Sequence, residues 1–171
     1  VWGGNRLTTW KQLPEQEHIG ESWEVSTLDL LPSVIANGTW AGYPLSEVIG
    51  KMPEAILGKA VAKKYHNQMP LLVKLIDTQS DLSVQVHPDD AMALREHNAS
   101  GKTEMWYVVD CEKGAELIYG FNKDISKEEF EKRIRNNTLT EVCNFVPVHK
   151  GDVFFIEAGT VHAIGKGIVI C

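Results

Sequence analysis

The segment VHKGDVFFIEAGTVHAIGKGIVIC, residues 148–171, constrains the fold more tightly than any other part of the chain. Short β-branched and aromatic runs are cut by Gly151, Gly159, Gly165 and Gly167, so it reads as strand, tight turn, strand, turn, strand. The same punctuation recurs upstream. GESWEVS (20–26) and PSVIANGTWAG (32–42) read as strands joined by turns, and LLVKLIDT (71–78), SDLSVQVHPDD (80–90), EMWYVVD (104–110) and AELIYGF (115–121) as further strands. Helical character is confined to two places. Residues 44–66, at the centre of an insert spanning about 44–67, carry Leu45, Val48, Ile49, Ile56, Leu57, Val61 and Ala62 at helical spacing, with Pro53 suited to a first turn. In SKEEFEKRIRN (126–136), Ser126 and Glu129 form a capping box, and Phe130 and Ile134 lie four apart on a short, solvent-facing helix. The segment PDDAMALREHNASGKT (88–103) is expected to be loop. Many short strands, Gly turns and few helices predict a mainly β chain, a jelly roll or β-barrel with a small helical insert and one extra short helix.

The chain has 171 residues, enough for one domain (1–171) with a sizeable core, and is 43% hydrophobic and 23% charged, as ordinary soluble globular proteins are. A formal net charge of −6 with no long Lys/Arg run argues against nucleic acid and anionic membrane as partners, although one cationic pocket can still hold an anion. No apolar run approaches the roughly 20 residues that span a bilayer, and no leader pattern opens the sequence, so a cytoplasmic location is expected. Cys111, Cys143 and Cys171 are an odd set without close spacing, and reduced thiols are expected rather than a disulfide framework or a thiolate zinc site. The sequence opens on Val1 and closes on an apolar GKGIVIC without a turn signal, the pattern expected of the N-terminal part of a longer chain. Nothing in it specifies an oligomeric state.

Chemistry concentrates on one face of the 80–90 segment. Leu82, Val84 and Val86 alternate with Ser83, Gln85 and His87, and residues two apart on a strand project from one side, roughly 7 Å apart. Gln85 and His87 can therefore aim at one point. Antiparallel pairing of the next strand would bring in the carboxylate of Glu104, and the Gly159 turn in GDVFFIEAGTVHAIG returns immediately with His162. Three or four nitrogen and oxygen ligands without thiolate suit zinc, iron, manganese or nickel. Each residue alone has an ordinary role: His87 beside a proline turn, Glu104 paired with Lys102, His162 capping a turn. Their combination has the pattern of a cupin metal site, with Gln85 in place of the commoner first His. As a neutral ligand, Gln85 leaves the cation more positive than a carboxylate would. His18, His66, His97 and His149 lack such context and are expected at the surface.

WGGNRL (2–7), GESWEVS, PLLVKLIDTQSDLSVQVHPDD (70–90), GKTEMWYV (101–108) and GDVFFIEAGTVHAIG (151–165) together resemble the type I phosphomannose isomerases, members of the cupin superfamily. The resemblance spans essentially the whole chain. It implies a zinc ion, one per chain, bound by Gln85, His87, Glu104 and His162, with other divalent metals as alternatives. It also implies interconversion of mannose 6-phosphate and fructose 6-phosphate through an enediol, with a phosphorylated hexose as partner. Ser83 and Lys102 become candidates for contacting the sugar phosphate, and Lys102 also for a catalytic role. Trp2 and Glu24 become candidates for lining the pocket. The catalytic base stays unassigned among Glu24, a water on the metal and a group outside this chain. The resemblance further implies an acidic residue, an Arg and a second β-domain beyond the equivalent of GIVIC, which this sequence lacks, so zinc binding without turnover is an open outcome for the chain alone. Two other readings stay open. A non-catalytic sugar-binding or regulatory cupin would bind without converting, and an iron-dependent cupin oxygenase would consume oxygen.

Overall fold

The computed structural model describes residues 2–14 and 18–171. In chain order the elements are α1 (Arg6–Trp10), β1 (Glu21–Val25), α2 (Leu45–Lys51), α3 (Pro53–Leu57), α4 (Lys59–Lys64), β2 (Val73–Asp77), α5 (Asp90–His97), β3 (Glu104–Cys111), β4 (Glu116–Phe121), α6 (Lys127–Arg135), a 3₁₀ turn (Leu139–Val142), β5 (Cys143–Pro147), β6 (Val153–Ile156), β7 (His162–Ile164) and β8 (Ile168–Ile170). They fall into two compact units, one holding the chain up to Gly20 and from Ile76 onward, the other Glu21–Leu75.

The larger unit is built from two antiparallel sheets. In the first, the end of β2 pairs with β8 (Ile76↔Ile170), β8 with β3 (Val108↔Ile170), and β3 with β6 (Glu104↔Ile156 through Tyr107↔Val153). In the second, β4 lies between β5 (Ile118↔Phe145) and β7 (Tyr119↔His162). Trp106 and Val108 of β3, Ile156 of β6 and Ile168 and Ile170 of β8 meet Leu117 of β4 and Ile164 of β7 in one buried cluster. Strand alternation explains which residues enter it, because Trp106 and Val108 point inward while Met105 and Tyr107, which alternate with them, are exposed. Each large apolar side chain buried this way contributes about 1.5–3 kcal/mol. The mainly β, two-sheet fold expected from the Gly-punctuated strands is present, and its last three strands fall where GDVFFIEAGTVHAIGKGIVIC placed them.

The WGGNRL segment clasps this sheet. Asp77, fully buried, accepts hydrogen bonds from the Arg6 backbone N–H (2.8 Å) and Nε (2.8 Å), and Arg6 Nη2 lies 2.7 Å from its Oδ1. Gly4 packs directly on that carboxylate, where a Cβ would collide with it. Leu7 follows on α1 and is also fully buried.

Half of the expected capping box forms at α6. Ser126 Oγ accepts from the Glu129 N–H, Phe130 meets Phe121 at 5.9 Å between ring centres, and the helix buries no residue completely. The Glu129 carboxylate bonds instead to Arg133 and Lys123, 2.9 and 3.1 Å away.

In the smaller unit, three short helices with Pro53 opening α3 occupy the segment read as helical, and Val48, Ile49 and Ala62 are buried. PSVIANGTWAG is not strand, contrary to expectation. It folds into a tight loop closed by Ile35 N–H to Tyr43 O (3.0 Å) and Gly42 N–H to Ile35 O (2.8 Å), with one isolated bridge, Val34 to Pro44. Trp40 and Tyr43 pack edge to face there, with the Lys51 ammonium over both rings.

Two further expectations fail. Residues 80–90 run extended but form no regular strand, making a single bridge between Gln85 and His162. Leu82 and Val84 pack on the core, while Val86 is half exposed. The segment 88–103, expected as loop, contains α5. Asp89 caps it by accepting from the Met92 N–H at 2.8 Å, and Asn98 ends it in a left-handed conformation, φ 51°. Met92 and Leu94 are exposed and Ala93 alone is buried, so no apolar stripe marked the helix. Helix α1 and the 3₁₀ turn are too short for a periodic signal. No helix among the described residues is long and apolar enough to cross a membrane.

Candidate metal centre

Backbone pairing brings the three key side chains together. Gln85 and His162 exchange both N–H···O bonds (2.8 and 2.9 Å), so their side chains lie opposite each other on one face. His87 follows two residues later, held where its carbonyl accepts from the Gly159 N–H at 2.8 Å. Contrary to expectation, Glu104 does not arrive by strand pairing with the His87 segment; it opens β3 opposite Ile156 in the other sheet and reaches across.

Helix α5 makes that reach possible. It turns the chain back so that the Lys102 N–H donates to Pro88 O at 3.1 Å, one residue from His87. Gly101 sits so close that a Cβ would lie 2.5 Å from the Asp90 nitrogen.

The result is a compact donor cluster. Ligand atoms of His87, Glu104 and His162 all lie within 4.8 Å of one another. His87 Nε2 is 3.3 Å from Glu104 Oε1, and His162 Nε2 is 3.8 Å from Glu104 Oε2. Zinc ligands at about 2.0–2.2 Å in tetrahedral array stand roughly 3.3–3.6 Å apart, close to these separations. His162 is buried, and its Nδ1 lies 2.8 Å from the Thr160 carbonyl, which fixes the proton there and leaves Nε2 as the donor of an electron pair. Gln85 is exposed and donates its Nε2–H to Ser83 Oγ at 3.4 Å, which leaves the amide oxygen for a cation. A divalent cation therefore suits this donor set.

The electrostatics point the same way. Burial first, then the Lys102 charge, pushes the His87 pKa below its ordinary 6.5, so the ring is neutral at pH 7. Burial alone would raise the Glu104 carboxyl, but the hydrogen bond and charge of Lys102, with His87 and the Trp106 N–H, outweigh it and hold the group below the usual carboxylate range. Lys102 Nζ lies 2.8 Å from Glu104 Oε1 and 3.2 Å from His87 Nε2. An ammonium can only donate, so it fits a neutral His87 with Nε2 as acceptor. Two acceptors facing each other at 3.3 Å around one cationic group is an arrangement that attracts positive charge.

Of the other sequence candidates, Trp2 lays its ring on the Gly20 backbone and is 37% exposed, with its carbonyl accepting from the Gln79 N–H at 2.8 Å. Glu24 lies on β1 in the smaller unit. His18, His66, His97 and His149 are exposed, as expected, and the three cysteines are free thiols. Sequence reasoning assigned no role to two groups that touch the centre, Thr160 and Trp106. Trp106 Nε1–H donates to Glu104 Oε2 at 3.0 Å, and its ring meets that of His162 edge-on at 5.4 Å. Its position two residues after Glu104 on a strand was the available signal.

A family model described as "Phosphomannose isomerase type I, catalytic domain" matches residues 2–137. This chain belongs to that family. The matched range contains Gln85, His87, Lys102, Glu104 and Trp106 and stops short of His162. The mannose-6-phosphate isomerase of Streptococcus mutans is 41% identical over 172 residues, covering 99% of this chain and 52% of the relative. The mannose-6-phosphate isomerase ManA of Bacillus subtilis is 39% identical, again over 99% of this chain and 52% of its own length. Among solved structures, the mannose 6-phosphate isomerase from Bacillus subtilis superimposes with a TM-score of 0.88 at 34% identity, covering 99% of this chain and 53% of that one. The chain thus spans about half the length of the curated relatives it matches. This phosphomannose isomerase family member has a cupin-type fold and a His/Glu/His cluster able to hold a metal.

Proposed function

We propose that this chain supplies the metal-binding part of an enzyme interconverting mannose 6-phosphate and fructose 6-phosphate. The observation that carries the reading is the convergence of His87, Glu104 and His162 within 4.8 Å, from three separated segments, in a chain of this family. Gln85 is the fourth ligand and zinc the metal, since an all nitrogen and oxygen set with two imidazoles suits it.

Moving a proton between adjacent carbons of an aldose and a ketose places negative charge on oxygen as the carbon acid ionises. Zinc, when bound, supplies a Lewis acid that stabilises this charge. The chain's own residues do the rest. His162 is fixed by Thr160 and shielded from solvent, while Gln85 stands opposite it in the exposed segment. Lys102, whose side chain is 53% exposed, brings an ammonium to the rim, where it can hold an anionic phosphate or neutralise charge developing on the sugar. Ser83, exposed beside Gln85, offers a hydroxyl to the same substrate.

The test is conversion of mannose 6-phosphate by the full-length protein carrying this chain, before and after chelation and again with zinc restored. Activity lost on chelation and recovered with zinc is the expected result. Full activity without metal sinks the mechanism, and zinc and sugar-phosphate binding without conversion would favour a sugar-binding or regulatory role.

A further inference from the structure

We propose that Trp106 is a positioning residue of the metal centre, its indole deciding which oxygen Glu104 presents and holding the plane of the His162 ring. The inference rests on the metal reading above.

A carboxylate beside a divalent cation can bind through either oxygen or both, and nothing in Glu104 itself selects among these. Trp106 does. Its Nε1–H, a donor with no acceptor capacity, engages Oε2 at 3.0 Å. The other oxygen, Oε1, lies 3.3 Å from His87 Nε2 and is met at 2.8 Å by the Lys102 ammonium, whose half-exposed, flexible side chain can leave, whereas the buried indole cannot. An oxygen already accepting an N–H has one lone pair fewer to offer, so the carboxylate is set to bind through Oε1.

The same ring acts on a second ligand. It stands at 79° to the His162 imidazole with centroids 5.4 Å apart, blocking the swing that the Thr160 contact at Nδ1 alone would permit. Glu104 belongs to one sheet and His162 to the other, and Trp106 touches both. Trp106 is itself immobilised, 5% exposed, within the cluster shared by Val108, Leu117, Ile156 and Ile164. Ligand orientation is thereby tied to the packed core.

The experiment compares cobalt(II) binding by the full-length protein carrying the parent chain, by its Trp106→Phe variant, and by one with benzothienylalanine installed at position 106, which keeps the bicyclic shape and replaces the N–H with sulfur. Affinity is read by competition with a chelator and coordination by the visible absorption of bound cobalt, strong when four-coordinate and weaker as coordination rises. The expected result is an affinity about 10–100-fold lower in both variants, the size of effect seen when groups that orient metal ligands are removed. The cobalt band should weaken as Glu104 becomes free to bind through both oxygens. If Trp106→Phe fails to fold, the isosteric variant decides. Unchanged affinity and spectrum in the isosteric variant overturn the proposal, as does an affinity loss with an unchanged spectrum, which assigns Trp106 packing alone. A parent chain that binds neither cobalt nor zinc overturns the metal reading itself, an outcome distinct from both.

Discussion

Substituting methionine for Arg6 removes a guanidinium from a buried carboxylate while keeping most of the apolar stem. Asp77 has no solvent exposure and is held by Nε at 2.8 Å, Nη2 at 2.7 Å and the Arg6 backbone N–H at 2.8 Å. Among the described residues, Arg6→Met leaves the carboxylate the backbone donor alone, and Gly4 packs against it so closely that a Cβ there would collide. Removing one partner of a buried pair costs about 3–5 kcal/mol because the other charge is left uncompensated. The surviving N–H and the 22% exposure of the Arg6 side chain favour the lower end, about 3 kcal/mol. For a chain of this size that corresponds to a fall of about 6–12 °C in melting temperature. Urea denaturation followed by tryptophan fluorescence measures it. Adding Asp77→Asn to Arg6→Met neutralises the stranded group and should restore part of the loss, so the two changes are not additive. A cost below about 1 kcal/mol for Arg6→Met would put the pair in the class of solvent-screened surface bridges and refute the reasoning.

Gly101→Ala places a Cβ 2.5 Å from the Asp90 nitrogen and 2.6 Å from the Asp89 carbonyl carbon, so the turn carrying Lys102 to Pro88 must shift; stability should fall by about 1–3 kcal/mol and cobalt affinity with it. Unaltered binding would detach this turn from the centre. Leu117→Ala empties a site 1% exposed between the sheets and should cost about 2–5 kcal/mol, read from the urea midpoint. For chelated protein, the pKa values of both His87 and Glu104 lie below their ordinary values, so the unfolded chain binds more protons as pH falls. Stability should decline on acidification from pH 6.5 downward through His87, and again from 4.5 downward through Glu104. His87→Gln should flatten the first decline, and a chelated protein that gained stability between pH 6.5 and 5 would contradict the assigned shift.

Strand periodicity was legible wherever one face of the segment meets the core. β3 alternates exposed Met105 and Tyr107 with buried Trp106 and Val108, and the Gly-punctuated end of the chain could be read directly. Local capping chemistry was equally legible at Ser126 and Pro53. Helix α5 was hidden because its stability rests on Asp89 and Asn98 at its ends, not on an apolar stripe. The loop at 32–42 shows the opposite failure, β-prone Val34, Ile35 and Trp40 drawn into a turn by the backbone bonds of Ile35 with Gly42 and Tyr43. At the site, residue types named the donors but not how they meet. Gln85 and His87 share a face that their two-residue spacing suggests, whereas His162 joins them through a long-range bridge to Gln85. The arrival of Glu104 from the opposite sheet depends on sheet packing, a long-range property that no short window encodes.

The division of labour in the site follows from where each group is anchored. Backbone bonds fix Gln85 to His162 and His87 to Gly159, and the β3–β6 ladder fixes Glu104, so the donor atoms sit on elements that cannot move without breaking paired strands or buried contacts. Lys102 is different. Its backbone is pinned to Pro88, but its ammonium rides on a flexible, half-exposed stem. It meets the same Glu104 oxygen and His87 nitrogen that a bound metal would take, and a divalent cation would compete for them with twice the charge. The group displaced is therefore the one that can swing toward solvent without disturbing the ladder. On the reading proposed above, a metal held by the rigid donor set would displace only the half-exposed Lys102 ammonium, and the paired strands would not have to move.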